Sequence, residues 1–156
     1  MRIIGIDPGT GILGFGIIDY LKDNLKLVDA GVIRTTKNDK AENRLEVIFN
    51  ELTKIIDENK PDIMSVEKLF FAQNVTTAMS VSQARGVVLL CAKQANLNIF
   101  EYTPLQIKQS LTGYGRADKR QIQEMVKVLL KLNTIPKPDD CADALATAIT
   151  HTMVIG

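Results

Sequence analysis

The chain has 156 residues and a mass of 17.2 kDa, which suits a single domain over residues 1–156 and leaves little room for a second. Hydrophobic residues make up 46% and charged residues 24%, which excludes disordered, collagen-like and disulfide-scaffold classes. The net charge of +1 names no partner, but Pro104 to Lys131 carries +4 and the remainder −3, a basic stretch that suits either a polyanion or plain solvent.

Arg2 to Asp7 is short, apolar and β-branched, and Pro8-Gly9-Thr10-Gly11 ends it in a turn. Leu13 to Asp19 is its expected hairpin partner, Lys22-Asp23-Asn24 the next turn, and Leu25 to Thr35 a third strand with a bulge or bend at Gly31. Leu45, Ile48, Phe49, Leu52, Ile55 and Ile56 recur at helical spacing, which predicts an amphipathic helix over Ala41–Asn59. Pro61-Asp62 breaks it, and Ile63 to Glu67 reads as a buried strand. After a loop over Lys68–Thr77, a helix over Ala78–Ala95 is apolar all round, so burial by the sheet and by a second subunit is expected. A last strand covers Asn98–Tyr102, and helices follow near Pro104–Leu111, Lys119–Leu132 and Asp139–Thr152. This order predicts an α/β fold: a mixed five-stranded sheet, part antiparallel meander and part parallel, with helices on both faces.

No apolar run reaches the ~20 residues that span a bilayer, and the first residues run straight into a strand pattern, so a cytoplasmic chain is expected. Cys91 and Cys141 form no Cys-x-x-Cys pair, and neither a zinc site nor a disulfide is expected of them.

Carboxylates at strand ends carry the chemistry. Asp7 closes Ile3-Ile4-Gly5-Ile6, and Glu67 closes Ile63-Met64-Ser65-Val66. A charge at the end of a buried strand is costly unless it is paired or coordinated, although either residue alone also reads as a turn residue emerging into solvent. In Pro138-Asp139-Asp140-Cys141-Ala142-Asp143 both Asp140/Asp143 (i, i+3) and Asp139/Asp143 (i, i+4) share a helix face, so spacing does not choose between them. Asp139 or Asp140 also suits an N-cap, which leaves Asp143 unexplained. Ala142, Ala144, Ala146 and Ala148 let this helix lie close to a sheet. Four converging carboxylates repel unless cations are present, and all-oxygen ligands suit Mg²⁺ or Mn²⁺. With His151 the only imidazole, metal-assisted phosphodiester hydrolysis fits better than a serine triad.

Three further segments matter. The glycine-rich turn after Asp7 lacks a Walker ending and resembles the first phosphate loop of actin-like ATPases, which need two such domains. Phe70 and Phe71 follow Glu67 in a loop, where one ring anchors and the other is free to meet an unstacked base, unless both anchor. Lys108, Arg116, Lys119 and Arg120 flank the link Gly113-Tyr114-Gly115, where cations beside a helix start suit phosphates; Asp118 reads as that helix's cap.

Gly5-Ile6-Asp7-Pro8-Gly9, Val66-Glu67-Lys68-Leu69-Phe70-Phe71, Gln83-Ala84-Arg85-Gly86, Gln106-Ile107-Lys108-Gln109 and Ala142-Asp143-Ala144-Leu145-Ala146 through His151 together resemble the RuvC family of Holliday-junction resolvases, which have a ribonuclease H-like fold. The resemblance spans nearly the whole chain. It implies a bacterial homodimer that nicks two opposing strands of a four-way DNA junction symmetrically in recombination and repair, with RuvA–RuvB as partners. It implies two Mg²⁺ (or Mn²⁺) per site held by Asp7, Glu67, Asp140 and Asp143, choosing Asp140 over Asp139, although some relatives have histidine at that position. DNA contacts are expected from Phe70, Phe71, Gln73, Lys108, Arg116 and Lys119. The expected chemistry is in-line attack by water with metal support of the attacking and leaving oxygens, leaving 5′-phosphate and 3′-hydroxyl ends. Three other readings remain: a nuclease of this fold acting on structured RNA, a junction binder that does not cut, and an actin-like ATPase half.

Overall fold

The computed structural model describes residues 1–68 and 75–156. It contains strands β1 (Arg2–Asp7), β2 (Ile12–Leu21), β3 (Asn24–Arg34), β4 (Ile63–Glu67) and β5 (Asn98–Tyr102), with helices α1 (Ala41–Asn59), α2 (Val75–Gln94), α3 (Pro104–Thr112), α4 (Lys119–Leu129) and α5 (Asp139–Ile155). The strands form one sheet of order β3-β2-β1-β4-β5. β1 pairs antiparallel with β2 and parallel with β4, so the predicted mixed sheet is observed.

Alternation of side chains explains why β1 is central. Ile4 and Ile6 enter one apolar cluster, with Ile48, Leu52 and Ile56 of α1 and Ala84 and Val88 of α2. Ile3 enters the other, with Ile107 of α3, Ile122 and Val126 of α4, and Leu145 and Ile149 of α5. A strand apolar on both faces is stable only when both are covered, and here α1 and α2 cover one face and α3 to α5 the other. Among the described residues no helix is long and apolar enough to cross a membrane.

Two sequence expectations shift. The hairpin β2–β3 turns through Lys22 and Asp23, both at positive φ (52° and 62°), a two-residue turn whose twist suits the flanking strands. The ladder irregularity lies where Ile17 faces Asp29 and Ile18 faces Leu27, so Val28 is the extra residue and Gly31 pairs regularly with Phe15. Gly31 instead makes room, because a Cβ there would stand 3.0 Å from the Phe15 ring. Helix α2 begins at Val75, earlier than the predicted Ala78. Ala84, Val88, Cys91 and Ala92 of α2 are buried, whereas Met79 and Leu90 remain exposed.

Candidate active site

Asp7 and Glu67 end adjacent parallel strands, whose register sets Ile6 beside Val66. Both carboxylates lie on the α5 side of the sheet by strand alternation. Gly5, two residues before Asp7, lies against α5, and Ser65, two before Glu67, donates its hydroxyl to the Thr147 carbonyl at 2.7 Å.

Helix α5 meets the sheet at backbone distance because three strand positions lack side chains. A Cβ added at Gly5 would overlap the Ala144 carbonyl and stand 2.8 Å from the Ala148 nitrogen. At Gly16 it would stand 2.5 Å from Leu145 Cδ2, and at Gly14 it would overlap the Asp140 carbonyl. Gly14 is the cross-strand partner of Asp7, so this close approach sets the first turn of α5, with Asp140 and Asp143, over the end of β1. The capping expectation for these aspartates fails: Pro138 occupies the N-cap position and no side chain caps the helix. The carboxylates of Asp139 and Asp140 are therefore not spent on the helix backbone.

The electrostatics record the convergence. Burial, then the charges of Glu67, Asp143 and Asp140 and a hydrogen bond with Asp140, push Asp7 up to about 8. Burial and Asp143 raise Glu67 against the opposing pull of Lys108 and Lys119. Burial likewise raises Asp143, opposed by Lys119 and reinforced by Asp140 and Asp139. Asp139 turns elsewhere: its carboxylate lies 3.4 Å from Lys119 Nζ, which also stands 3.6 Å from Asp143. Burial alone would lower Lys119, but these carboxylates outweigh it and leave the ammonium raised. The structure thus brings Asp140, rather than Asp139, to Asp7. The four carboxylates converge without closing, and among the described residues no three acidic, histidine or cysteine side chains form a ready metal cage.

A cavity of about 250 Å³ opens beside the cluster, lined among others by Glu67, Asp143, Lys108, Lys119 and Ile107. Its two cations are set by helix starts. Thr103 and Gln106 form a reciprocal capping box that begins α3, and Asp118 and Gln121 do the same for α4. Asp118 is thus the cap the sequence suggested, and Lys119 is the first residue of its helix. Arg116 is exposed in the α3–α4 link. The expected contacts at Phe70, Phe71 and Gln73 lie outside the described residues.

Sequence reasoning missed two features. Gly5, Gly14 and Gly16 fall within predicted strands, but the sequence reading drew nothing from their alternation, which signals a close helix. His151 is buried, and its Nδ1 lies 2.6 Å from the Tyr102 hydroxyl. Tyr102 is the cross-strand neighbour of Glu67, so this bond ties the far end of α5 to the strand beside the site.

Known proteins match this chain closely. The family described as Crossover junction endodeoxyribonuclease RuvC matches residues 3–151. A protein of that description from Fusobacterium nucleatum is 54% identical over 156 residues, covering 100% of this chain and 82% of the relative. One from Alkaliphilus oremlandii is 56% identical over 151 residues, covering 97% and 92%. The solved structure of Thermus thermophilus RuvC in complex with a Holliday junction substrate superimposes with a TM-score of 0.94 at 33% identity, covering 99% of this chain and 94% of the other. This chain belongs to the RuvC family of crossover junction endodeoxyribonucleases.

Proposed function

We propose that this chain, as one nuclease domain over residues 1–156, resolves four-way DNA junctions by symmetric, metal-dependent nicking of two opposing strands. The observation that carries this reading is the convergence of Asp140 and Asp143 of α5 on Asp7 and Glu67 at the ends of two adjacent strands, which with burial pushes Asp7 up to about 8. A protein gathers such charges at a cost of stability, and a hard cation removes that cost. The donor set fits: Asp7, Glu67, Asp140 and Asp143 offer only carboxylate oxygens, as Mg²⁺ or Mn²⁺ prefers. Two ions per site, when bound, would supply charge stabilisation to the attacking and leaving oxygens of a phosphodiester.

The chain's own residues do the rest. Asp7, at a central strand end, would hold metal together with Glu67, Asp140 and Asp143, and Lys119 stands 3.6 Å from Asp143. Lys108 and Lys119 line the adjacent cavity and set the scissile phosphate by charge, while Arg116, Phe70, Phe71 and Gln73 hold flanking DNA. In-line attack by water then leaves 5′-phosphate and 3′-hydroxyl ends. Membership of this bacterial family is the ground on which a cytoplasmic setting on DNA, and RuvA–RuvB as partners, are proposed.

A homodimer completes the reading, since twofold symmetry matches two equivalent strands. Helix α2 supports it: Met79 and Leu90 are exposed, and a Cβ at Gly86 on the same helix would meet nothing within 4 Å. Sedimentation of a monomer at micromolar concentration would remove the dimer from this account.

Cleavage of an end-labelled, fixed four-way junction in Mg²⁺ tests the whole. Wild type should give paired symmetric nicks, lost in Asp7→Asn and in Glu67→Gln. Binding without cleavage in both Mg²⁺ and Mn²⁺ would overturn the nuclease reading.

A further inference from the structure

The turn that follows Asp7 is stitched to three other elements by hydroxyl groups. The Thr35 hydroxyl, just past β3, donates to the Thr10 carbonyl and accepts from Arg44 Nε of α1 at 2.9 Å. The Thr35 backbone nitrogen donates to the Gly11 carbonyl at 3.0 Å. The Thr10 hydroxyl pairs with that of Ser80 on α2. Anchoring Thr35 occupies only one nitrogen of Arg44. The two terminal nitrogens, with four N–H groups, have no partner among the described residues, although the side chain is only partly exposed. Asp39 is near enough to feel the charge but makes no ion pair with Arg44; the Lys40 nitrogen at 2.8 Å and Asn43 Nδ2 at 2.9 Å both bond its Oδ1.

The guanidinium lies over Gly11, where a Cβ would stand 3.5 Å from Nη2, so the glycine leaves that face of the fork uncrowded. A guanidinium anchored through Nε, with its terminal donors free, suits an oxyanion with two equivalent oxygens. Gly11 is four residues beyond Asp7, which limits their separation to about 14 Å, a few nucleotides along a strand. Lys108 and Lys119 lie on the α5 side of the sheet, whereas Arg44 reaches in from the α1 side.

We infer that Arg44, with Thr10, Thr35 and Ser80 around it, forms a backbone-phosphate subsite for the DNA strand where it leaves the carboxylate cluster on the α1 side. This rests on the junction-cutting function proposed above and adds a contact to it. The strand is then gripped on both flanks of the scissile phosphate, which fixes its direction through the site.

The test measures binding of a labelled four-way junction and of a linear duplex by anisotropy, with Ca²⁺ replacing Mg²⁺, across a salt series. Arg44→Gln should weaken junction binding about tenfold and make the slope of log K against log salt less negative by about 0.9, the increment of one phosphate. Arg44→Lys keeps the charge and should keep the slope while recovering only part of the affinity. Unchanged affinity and slope in Arg44→Gln would overturn the subsite. So would weaker binding with an unchanged slope, which marks a displaced turn rather than a lost phosphate. If Arg44→Gln fails to fold, the Thr35→Val variant decides: with the guanidinium released from its anchor, junction binding should weaken and the slope become less negative, and wild-type affinity and slope overturn the subsite. If wild type binds duplex and junction alike and cuts neither, while Arg44→Gln still loses the slope increment on both, the junction reading fails and the subsite stands. No DNA binding by wild type overturns both.

Discussion

Gly14 and the carbonyl of Asp140 occupy space that no side chain at position 14 can share. Because Gly14 is also paired across the ladder with Asp7, one missing Cβ sets the height of α5 above the candidate site. Gly14→Ala should therefore move the first turn of α5 away from Asp7. Overpacking of this kind costs about 1–3 kcal/mol, and displacement of the carboxylates by about 1 Å costs on the order of 100-fold in rate. Urea melts and single-turnover junction cleavage together check this, with cleavage expected to suffer far beyond the loss of folded protein.

Stability of the metal-free protein should fall as pH rises. Asp7 is raised from 3.8 to about 8, and Glu67 and Asp143 are raised as well. Between those limits the folded state binds more protons than the unfolded chain, so the stabilisation is complete below pH 4 and is lost as pH passes through about 8. Thermal melts in chelator from pH 5 to pH 8.5 should show a declining midpoint, and Asp7→Asn should flatten the decline.

Divalent cation should reverse that loss. A cation held by the charged cluster and not by the unfolded chain raises the midpoint by linkage, and Mg²⁺ is expected to do so more at pH 8 than at pH 5. Calorimetric or fluorescence melts with and without Mg²⁺ measure this directly. In Asp7→Asn the increment should shrink, and chelation should abolish wild-type cleavage while leaving the fold intact.

Lys119 bridges Asp139 and Asp143 from a half-exposed position, so its worth to folding is small. Lys119→Gln should change stability by less than about 0.5 kcal/mol. Cleavage should drop by one to two orders of magnitude through loss of charge beside the scissile phosphate. Comparing equilibrium melts with cleavage rates separates the two effects.

Tyr102→Phe removes the partner of a buried histidine. His151, its pKa lowered by burial, is neutral near pH 7, and Nδ1 would be left without its 2.6 Å bond to the hydroxyl. An unsatisfied buried polar group costs about 1–3 kcal/mol. The loss should be visible in denaturant melts, accompanied by a smaller effect on cleavage through the neighbouring Glu67.

Much of the fold was legible because period-two and helical patterns are local. The apolar run before Asp7, the helical spacing from Leu45 to Ile56 and the breaker at Pro61-Asp62 each fix an element within a few residues. The start of α2 was misplaced because Val75, Thr76 and Thr77 carry no helical signal of their own. The bulge was assigned to Gly31 on residue type, whereas Val28 takes the extra position: residue type alone does not say where two strands fall out of step.

By itself the sequence determined that Asp7 and Glu67 end buried strands and that aspartates open an alanine-rich helix, since burial and spacing are written in the chain. Which aspartate meets Asp7 is settled by how the helices pack. Asp139 and Asp140 have equal claim by helical spacing, and the choice depends on how α5 is rotated and how closely it approaches. Gly5, Gly14 and Gly16, on two strands remote in sequence from α5, set that approach by offering backbone where side chains would stand. Lys119, from the start of another helix, takes Asp139 for itself and leaves Asp140 to the cluster.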